Sequence, residues 1–153
     1  MKQRVPKPRT SLPLEDQVFI AVLRTADALS QQAEEVVRAR GLTGAQYNVL
    51  RILRGAEPEG CACREIGERM ISHDPDMTRL LDRMEKRGLV TRERQSEDRR
   101  VVKTRITPAG LELLKLLEQP VHKLHKRQFG HLAASRLKAL SELLGEVRNR
   151  APE

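Results

Sequence analysis

The sequence predicts a mainly α-helical protein with one small two-stranded β-hairpin, and three observations support that fold class. Apolar residues recur at spacings of three and four along most of the chain, which is the period of amphipathic helices. From Arg92 to Thr107 the pattern changes, because runs of aliphatic and β-branched residues flank a charged segment. Proline and glycine fall near the ends of the helical stretches. A chain of 153 residues fits a single domain.

The predicted hairpin has a basic tip that should project into solvent. Its strands lie at residues 89–91 and 101–106, and six basic and three acidic side chains stand from Arg92 to Arg105. A thin basic finger suits the groove of a nucleic acid, while an ordinary solvated hairpin would have a similar composition. The charged residues at or near the tip are Arg94, Asp98, Arg99 and Arg100.

A short helix is predicted immediately before the hairpin. Asp74 is its expected N-cap, Pro75 its first helical residue and Gly88 its end. Its inward-facing apolar residues follow the helical period: Met77, Leu80, Leu81 and Met84. The opposite face carries groups suited to phosphates and base edges, although surface helices also carry them: Asp76, Thr78, Arg79, Asp82, Arg83 and Lys86.

Another short helix lies one step earlier in the chain. Ile66, Met70 and Ile71 stand at helical spacing and a polar break follows them. A helix that opens with a capping box of Thr43 and Gln46 precedes this pair. Two short helices joined by a tight turn and followed by a hairpin form a winged helix-turn-helix unit, in which the second helix enters the major groove. The sequence therefore predicts a DNA-binding unit.

The wing and the second helix resemble those of the MarR family, the multiple-antibiotic-resistance-type transcription regulators. The segment D-R-R-V-V-K-T-R-I-T matches the family's wing signature, and T-R-L-L-D-R-M-E-K-R-G-L-V looks like its recognition helix. The resemblance runs from about Leu14 to Arg148 and is specific from Leu42 to Gly110. It implies a homodimer that binds double-stranded promoter DNA, usually as a repressor. It also implies that a small, often aromatic or phenolic, ligand releases the protein from the DNA.

The resemblance also implies roles for single residues. Arg100 would be the wing arginine that enters the minor groove, and Asp98 would orient it or tie it to a neighbouring arginine. Thr78 and Arg79 would face the major groove. A departure is Ala62, where the family often has a Ser or Thr that caps the first helix of the motif. The expected DNA-binding set is Asp76, Thr78, Arg79, Arg83, Lys86, Arg94, Asp98, Arg99 and Arg100.

Helices from both chain ends are predicted to form a dimerisation region. A long helix spans residues 14–40 up to Gly41, and two more follow the hairpin, one from the Thr107 cap and one from about Ala134. Their apolar stripes exceed the needs of one small core, so we expect them to pair across a two-fold axis. The expected layout is a basic arm at 1–12 and one domain at 13–150, with the winged lobe at 42–108 and dimerisation helices at 13–41 and 109–150.

Charge and composition limit the kind of partner and the compartment. The net charge of +8 and the pI of about 10.1 favour an anionic partner, a property that ribosome-bound, membrane-surface and DNA-binding proteins share. The sequence has no apolar stretch of transmembrane length, and its start lacks the apolar segment of a signal peptide. We expect a cytoplasmic protein with no membrane partner.

The two cysteines suit a reducing compartment and have different expected roles. Cys61 occupies the place of an aliphatic core residue, so it should be a small buried hydrophobe. Cys63 falls in the first turn of a helix, where the helix dipole lowers the pKa of a thiol, and is therefore a candidate for oxidation sensing. An ordinary structural cysteine is the alternative.

One helix carries a candidate metal site. Glu118, His122 and His125 stand at i, i+4 and i+7, and zinc accepts this set of ligands. All three also lie beside the apolar stripe, where polar residues usually border solvent. Both a metal-responsive regulator and an ordinary polar helix face remain open.

The sequence offers little for an enzyme and indicates no cofactor. It has no glycine-rich phosphate loop, no G-x-S-x-G elbow and no H-E-x-x-H motif. The main competitor to a specific regulator is a non-specific architectural DNA-binding protein, which needs basic charge and a groove-filling element but no ligand.

Overall fold

A computed structural model describes residues 12–94 and 100–150 of the chain. These residues form six helices and three short strands. In chain order the elements are α1 Leu14–Arg38, α2 Gly44–Gly55, β1 Cys61–Ala62, α3 Cys63–Arg69, α4 Met77–Lys86, β2 Val90–Arg94, β3 Val102–Ile106, α5 Pro108–Phe129 and α6 Ala134–Asn149. The predicted mainly helical fold with a winged helix-turn-helix unit is confirmed. The arm at residues 1–11, Asp98 and Arg99 lie outside the described residues.

The wing belongs to a sheet of three antiparallel strands in the order β1-β3-β2. Strands β2 and β3 pair from Val90 with Ile106 to Arg94 with Val102, as the hairpin prediction requires. Strand β1 adds Cys61 opposite Thr104. The prediction of two strands was incomplete, because a strand of two residues is too short to show an alternating pattern.

Helix α4 begins two residues later than the sequence predicted. Asp76 is the N-cap, and its Oδ1 accepts a hydrogen bond from the backbone N–H of Arg79 at 3.1 Å. Asp74 instead accepts from the backbone N–H of Asp76 at 2.8 Å, which places Asp74 and Pro75 in a turn. The prediction of Asp74 as N-cap was wrong, because two aspartates flank the proline and the second takes the capping position.

Two other helix starts agree with the sequence. The capping box of α2 is present: Thr43 Oγ1 accepts from the N–H of Gln46 at 3.2 Å, and Gln46 Oε1 accepts from the N–H of Thr43 at 3.1 Å. Thr107 caps α5, with its Oγ1 accepting from the N–H of Gly110 at 3.1 Å. Helix α1 ends at Arg38, slightly before the predicted residue 40. Gly41 then turns the chain with φ +73°.

The hydrophobic core lies in the winged lobe and the middle of α5. Leu80, Leu81 and Met84 of α4 are buried in it, which confirms the predicted inward stripe of that helix, and Met77 packs against its margin. Burial of this stripe leaves the opposite face of α4 towards solvent. The other elements contribute Val37, Val49, Leu50, Leu53, Ile66, Val90, Ile106, Leu114 and Leu117.

The wing and α5 meet in a close joint. Thr107 donates its backbone N–H to Leu89 O at 3.1 Å and its hydroxyl to Gly88 O at 2.6 Å. A Cβ on Gly110 would lie 2.5 Å from Leu89 O and 2.8 Å from Ile106 Cγ1, so only glycine fits there. The end of α4 and the start of α5 are thereby held together.

Both chain ends leave large apolar side chains exposed. None of the residues described in α6 is buried, and the first half of α1 is exposed as well. Monomeric proteins rarely leave such runs of apolar residues uncovered. The exposed apolar residues of these two helices are Leu14, Val18, Phe19, Ile20, Val22 and Leu23 in α1, and Leu140, Leu143, Leu144 and Val147 in α6.

Candidate nucleic-acid interface

The solvent-facing side of α4 carries four of the nine predicted DNA-contacting residues. Thr78, Arg79, Arg83 and Lys86 are all exposed on the face opposite the buried stripe. Arg83 Nε donates to the backbone carbonyl of Arg79 at 3.3 Å, which holds the Arg83 side chain along the helix surface. A hydroxyl and three cations on one exposed helix face can bind phosphates and base edges.

Asp76, another predicted DNA contact, is the N-cap residue of α4. Its carboxylate caps α4 through the N–H of Arg79, so it orients the exposed turn that carries Thr78 and Arg79. A carboxylate at a helix start is also stabilised by the helix dipole. The sequence did not reveal this because it pointed to Asp74 as the cap.

The wing brings two more predicted residues to the same unit. Arg94 ends β2 and Arg100 stands just before β3, and both are exposed. They flank the part of the tip, including Asp98 and Arg99, that lies outside the described residues. The described wing therefore presents cations on both sides of its tip.

A cluster of charges joins the base of the wing to α4. Arg92 of β2 donates from Nη2 to Asp82 Oδ1 at 2.5 Å and to Glu85 Oε2 at 2.7 Å. Its Nε also donates to Glu85 Oε2 at 3.0 Å, and its backbone N–H donates to Glu85 Oε1 at 3.1 Å. The hydrogen bond to Glu85 raises the pKa of Arg92, and the bond to Asp82 acts in the same direction against partial burial. The cluster fixes the angle between the wing and α4.

The role of this cluster was not predicted from the sequence. Asp82 was expected only as a polar residue of α4, and Glu85 and Arg92 had no expected role. The signal that could have found them is the spacing of two acids three residues apart on one helix, followed by an arginine on the next strand. Two carboxylates with this spacing lie on one helix face, where a single guanidinium can bridge them.

The loop behind the wing supports β3. Arg105 Nη1 donates to the carbonyl oxygen of Pro58. Gly60 has φ +70°, and a Cβ there would lie 2.8 Å from Thr104 O. Glycine is required at this position because the loop passes directly over the strand.

The family departure at Ala62 is partly compensated. Ala62 offers no side-chain acceptor at the start of α3. Glu65 nevertheless accepts from the backbone N–H of Ala62 through Oε2 at 2.8 Å, which is the second half of a capping box. Helix α3 therefore begins at Cys63 without the usual Ser or Thr before it.

The cysteines occupy different surroundings. Cys61 is buried in β1, as predicted, and burial raises the pKa of its thiol, while nearby Arg69 acts in the opposite direction. Arg69 Nη1 also lies 3.6 Å from Cys61 Sγ. Cys63 is half-buried in the first turn of α3 and packs at the margin of the core. Its oxidation-sensing role stays a prediction.

The three candidate metal ligands on α5 are not brought together. Glu118 pairs with Arg54 of α2 at 2.8 Å, while His122 and His125 are exposed. Over residues 12–94 and 100–150, no group of three or more His, Cys, Asp or Glu side chains is arranged to hold a metal ion. In the same ranges, no helix is both long and apolar enough to cross a bilayer.

Comparison with known proteins identifies the family. The MarR family model matches residues 40–101, which contain α2 to α4 and the wing up to its tip. The crystal structure of a MarR transcription factor from Planctomyces limnophilus shares 44% sequence identity with a TM-score of 0.67, and the match covers 90% of this chain and 98% of that one. The chain belongs to the MarR family.

Other MarR-type proteins agree with this assignment. The homoprotocatechuate degradative operon repressor of Escherichia coli is 26% identical over 87% of this chain and 88% of its own. A mutant MarR from E. coli, crystallised with operator DNA, shares the fold with a TM-score of 0.77 at 24% identity, over 89% of this chain and 99% of that one. This MarR-family chain is therefore a DNA-binding transcription regulator and not an enzyme.

Proposed function

We propose that this MarR-family regulator is a homodimeric repressor that binds a pseudo-palindromic operator in double-stranded promoter DNA and is released by a small-molecule ligand. The observation that carries the proposal is the exposed face of α4 beside a basic wing, the two held at a fixed angle by Arg92, Asp82 and Glu85. This arrangement suits a major groove and the minor groove next to it.

The residues of this surface divide by the part of the DNA that they would contact. Thr78 and Arg79, in the first exposed turn of α4, read base edges in the major groove. Arg83 and Lys86 bind phosphates further along the helix. Arg100 enters the minor groove, Arg94 and Arg99 add DNA contacts from the wing, and Asp98 orients Arg100 or ties it to a neighbouring arginine. Asp76 sets the orientation of the reading turn.

The proposed dimer is built from both chain ends. The exposed apolar residues of α1 and α6 supply a surface that a second copy would cover, and monomeric proteins rarely leave such a surface exposed. In this arrangement residues 42–108 form the DNA-binding lobe, and residues 13–41 and 109–150 form the dimerisation helices.

The proposed ligand is a small aromatic or phenolic molecule that binds where the dimerisation helices meet the lobe. The repressor of homoprotocatechuate degradation among the relatives supports this chemical class. Ligand binding would change the spacing between the two recognition helices, which is enough to break their match to successive major grooves. Since the relatives are bacterial regulators, the proposed operator, and this protein with it, would lie in the cytoplasm.

Footprinting after selection of genomic fragments tests this proposal. Fragments that bind the wild-type protein are sequenced, and the best one is compared with a random duplex of equal length at matched salt. We expect a two-fold symmetric footprint with half-sites about 10 base pairs apart. Equal affinity for the selected and random duplexes would instead support a non-specific architectural protein, which the net charge of +8 also suits.

A further inference from the structure

Helix α2 carries two side-chain amides that are almost completely buried. Gln46 is 8% exposed and Asn48 is 9% exposed. Among the residues that the structure describes, Thr104 is the other buried polar side chain. Burial of an amide is unfavourable unless its groups find hydrogen-bond partners. The hydrogen-bond partners of the two amides lie before and after the recognition helix α4.

Asn48 holds the turn in front of the recognition helix. Its Oδ1 accepts a hydrogen bond from the backbone N–H of Ile71 at 2.7 Å, across 23 residues of sequence. The side chain of Ile71 is 79% exposed, so its own packing cannot fix this turn. The hydrogen bond from the backbone therefore ties the turn between α3 and α4 to α2.

Gln46 binds the C-terminal end of the recognition helix α4. Its Oε1 accepts from Arg87 Nη1 at 3.2 Å as well as from the backbone N–H of Thr43. Arg87 is the C-cap residue of α4. One buried amide oxygen thus joins the first turn of α2 to the last turn of the recognition helix.

We infer that Gln46 and Asn48 are positioning residues that set the angle at which α4 meets the DNA. One holds the chain before α4 and the other holds its end, and both do so from a single helix that also packs against α1 and α5. This inference rests on the proposed operator-binding function. Loss of either acceptor disturbs base reading, which depends on orientation, more than phosphate binding, which depends on charge.

The test at Asn48 compares Asn48→Ala with Asn48→Asp. The alanine variant loses the acceptor for the N–H of Ile71, and the ratio of operator affinity to random-duplex affinity should fall about tenfold. Affinity for random duplex and its dependence on salt should stay within twofold. The aspartate variant keeps an oxygen acceptor and should recover most of the ratio. Failure of the aspartate variant to recover it would overturn the role given to this hydrogen bond.

Val49→Ala is the control for general loss of stability. Val49 is the neighbouring residue on α2, fully buried, and its side chain makes no hydrogen bond. Its truncation should lower the melting temperature, as Asn48→Ala should, but leave the affinity ratio unchanged when binding is measured well below both melting temperatures. A similar loss of ratio in Val49→Ala would overturn the inference, because destabilisation alone would then explain the effect.

The test at Gln46 compares Gln46→Met with Thr43→Ala. Both variants break the capping box of α2, but only the methionine variant removes the acceptor of Arg87. We expect both to lose stability and only Gln46→Met to lose about tenfold in the affinity ratio. An equal loss in the two variants would assign the effect to the helix cap and overturn the role of Gln46.

Amide hydrogen exchange gives a readout that does not need DNA. The N–H of Ile71 should exchange slowly in the wild type and in Asn48→Asp, and much faster in Asn48→Ala. If the wild type fails to discriminate operator from random duplex, the proposed function fails and the inference falls with it. If the wild type discriminates and both Asn48→Ala and Gln46→Met keep the full ratio, only the inference is overturned.

Discussion

The carboxylate of Glu85 in α4 accepts three hydrogen bonds from Arg92 at the base of the wing. One comes from the backbone N–H at 3.1 Å, and two come from Nε and Nη2 of the guanidinium at 3.0 and 2.7 Å. A backbone bond fixes the strand and the guanidinium bonds fix the direction of the side chain. The wing therefore cannot turn relative to the recognition helix without breaking several charge-assisted hydrogen bonds.

Replacement of Arg92 by Lys tests this connection. Lysine keeps the charge but lacks the planar fork that reaches Glu85 and Asp82 together. We expect the melting temperature to fall by a few degrees and operator affinity to fall several-fold. Arg64→Lys is the control, since Arg64 pairs with Glu68 on the exposed surface of α3, and it should change neither quantity much. Thermal unfolding measures the melting temperature, and gel-shift titration measures the operator affinity.

Replacement of Arg100 by Ala tests the wing. Arg100 is exposed beside the tip, and loss of a groove-bound arginine removes about 1 to 3 kcal/mol of binding. Operator affinity should fall at least tenfold, with the dimer retained. Lys138→Ala removes one charge from the exposed face of α6 and serves as the control. If both variants bound the operator as the wild type does, the wing would have no part in recognition.

Arg79 and Lys86 should behave differently although both are exposed cations of α4. Arg79→Ala should lower affinity and relax base preference at one position in each half-site. Lys86→Ala should weaken binding to all duplexes alike and reduce the salt slope by about one unit. Selection from random duplexes measures base preference, and titration at several salt concentrations measures the slope. A wild-type base preference in Arg79→Ala would contradict its assignment.

The proposed dimer would depend on apolar residues of α6. Leu140 and Leu144 are exposed in the single chain, and changing both to Asp should place unpaired carboxylates in the interface, at a cost of several kcal/mol. The dimer should dissociate and specific binding should be lost with it. Light scattering measures the mass in solution. Changing exposed Lys138 to Asp is the control, and a wild-type monomer would contradict the dimer itself.

The buried thiol of Cys61 should make stability depend on alkaline pH. Burial raises the pKa of this thiol above its ordinary value of 9.0, so the unfolded chain loses the thiol proton at lower pH than the folded chain. Stability is unaffected below the unfolded pKa and decreases as pH rises through and above it. The melting temperature of the wild type, compared with that of Cys61→Val at pH 8 and pH 10, isolates this effect. An equal pH dependence in both proteins would count against it.

Local patterns in the sequence predicted the helices, the hairpin and the caps at Thr43 and Thr107, because each depends on residues a few positions apart. The cap of α4 was misplaced since Asp74 and Asp76 flank one proline and only the folded backbone distinguishes them. The exposed cations of α4 followed from helical periodicity.

Contacts between distant parts of the chain were not predictable in this way. The bond between Asn48 and Ile71 joins residues 23 positions apart, and the bond between Arg105 and Pro58 joins residues 47 apart. No periodicity in one sequence marks such pairs. The orientation of the candidate site, as distinct from its residues, therefore came from the structure.

Thr107 at the start of α5 is hydrogen-bonded to Gly88 and Leu89, which directly follow α4. A change in the tilt of α5 would therefore be accompanied by a movement of the recognition helix. Helix α5 has 22 residues and is about 33 Å long at 1.5 Å per residue. A tilt of about 5° at the joint moves the far end of such a helix by roughly 3 Å. A Cβ on Gly110 would lie 2.5 Å from Leu89 O, so a larger residue there would push the start of α5 away from the end of α4.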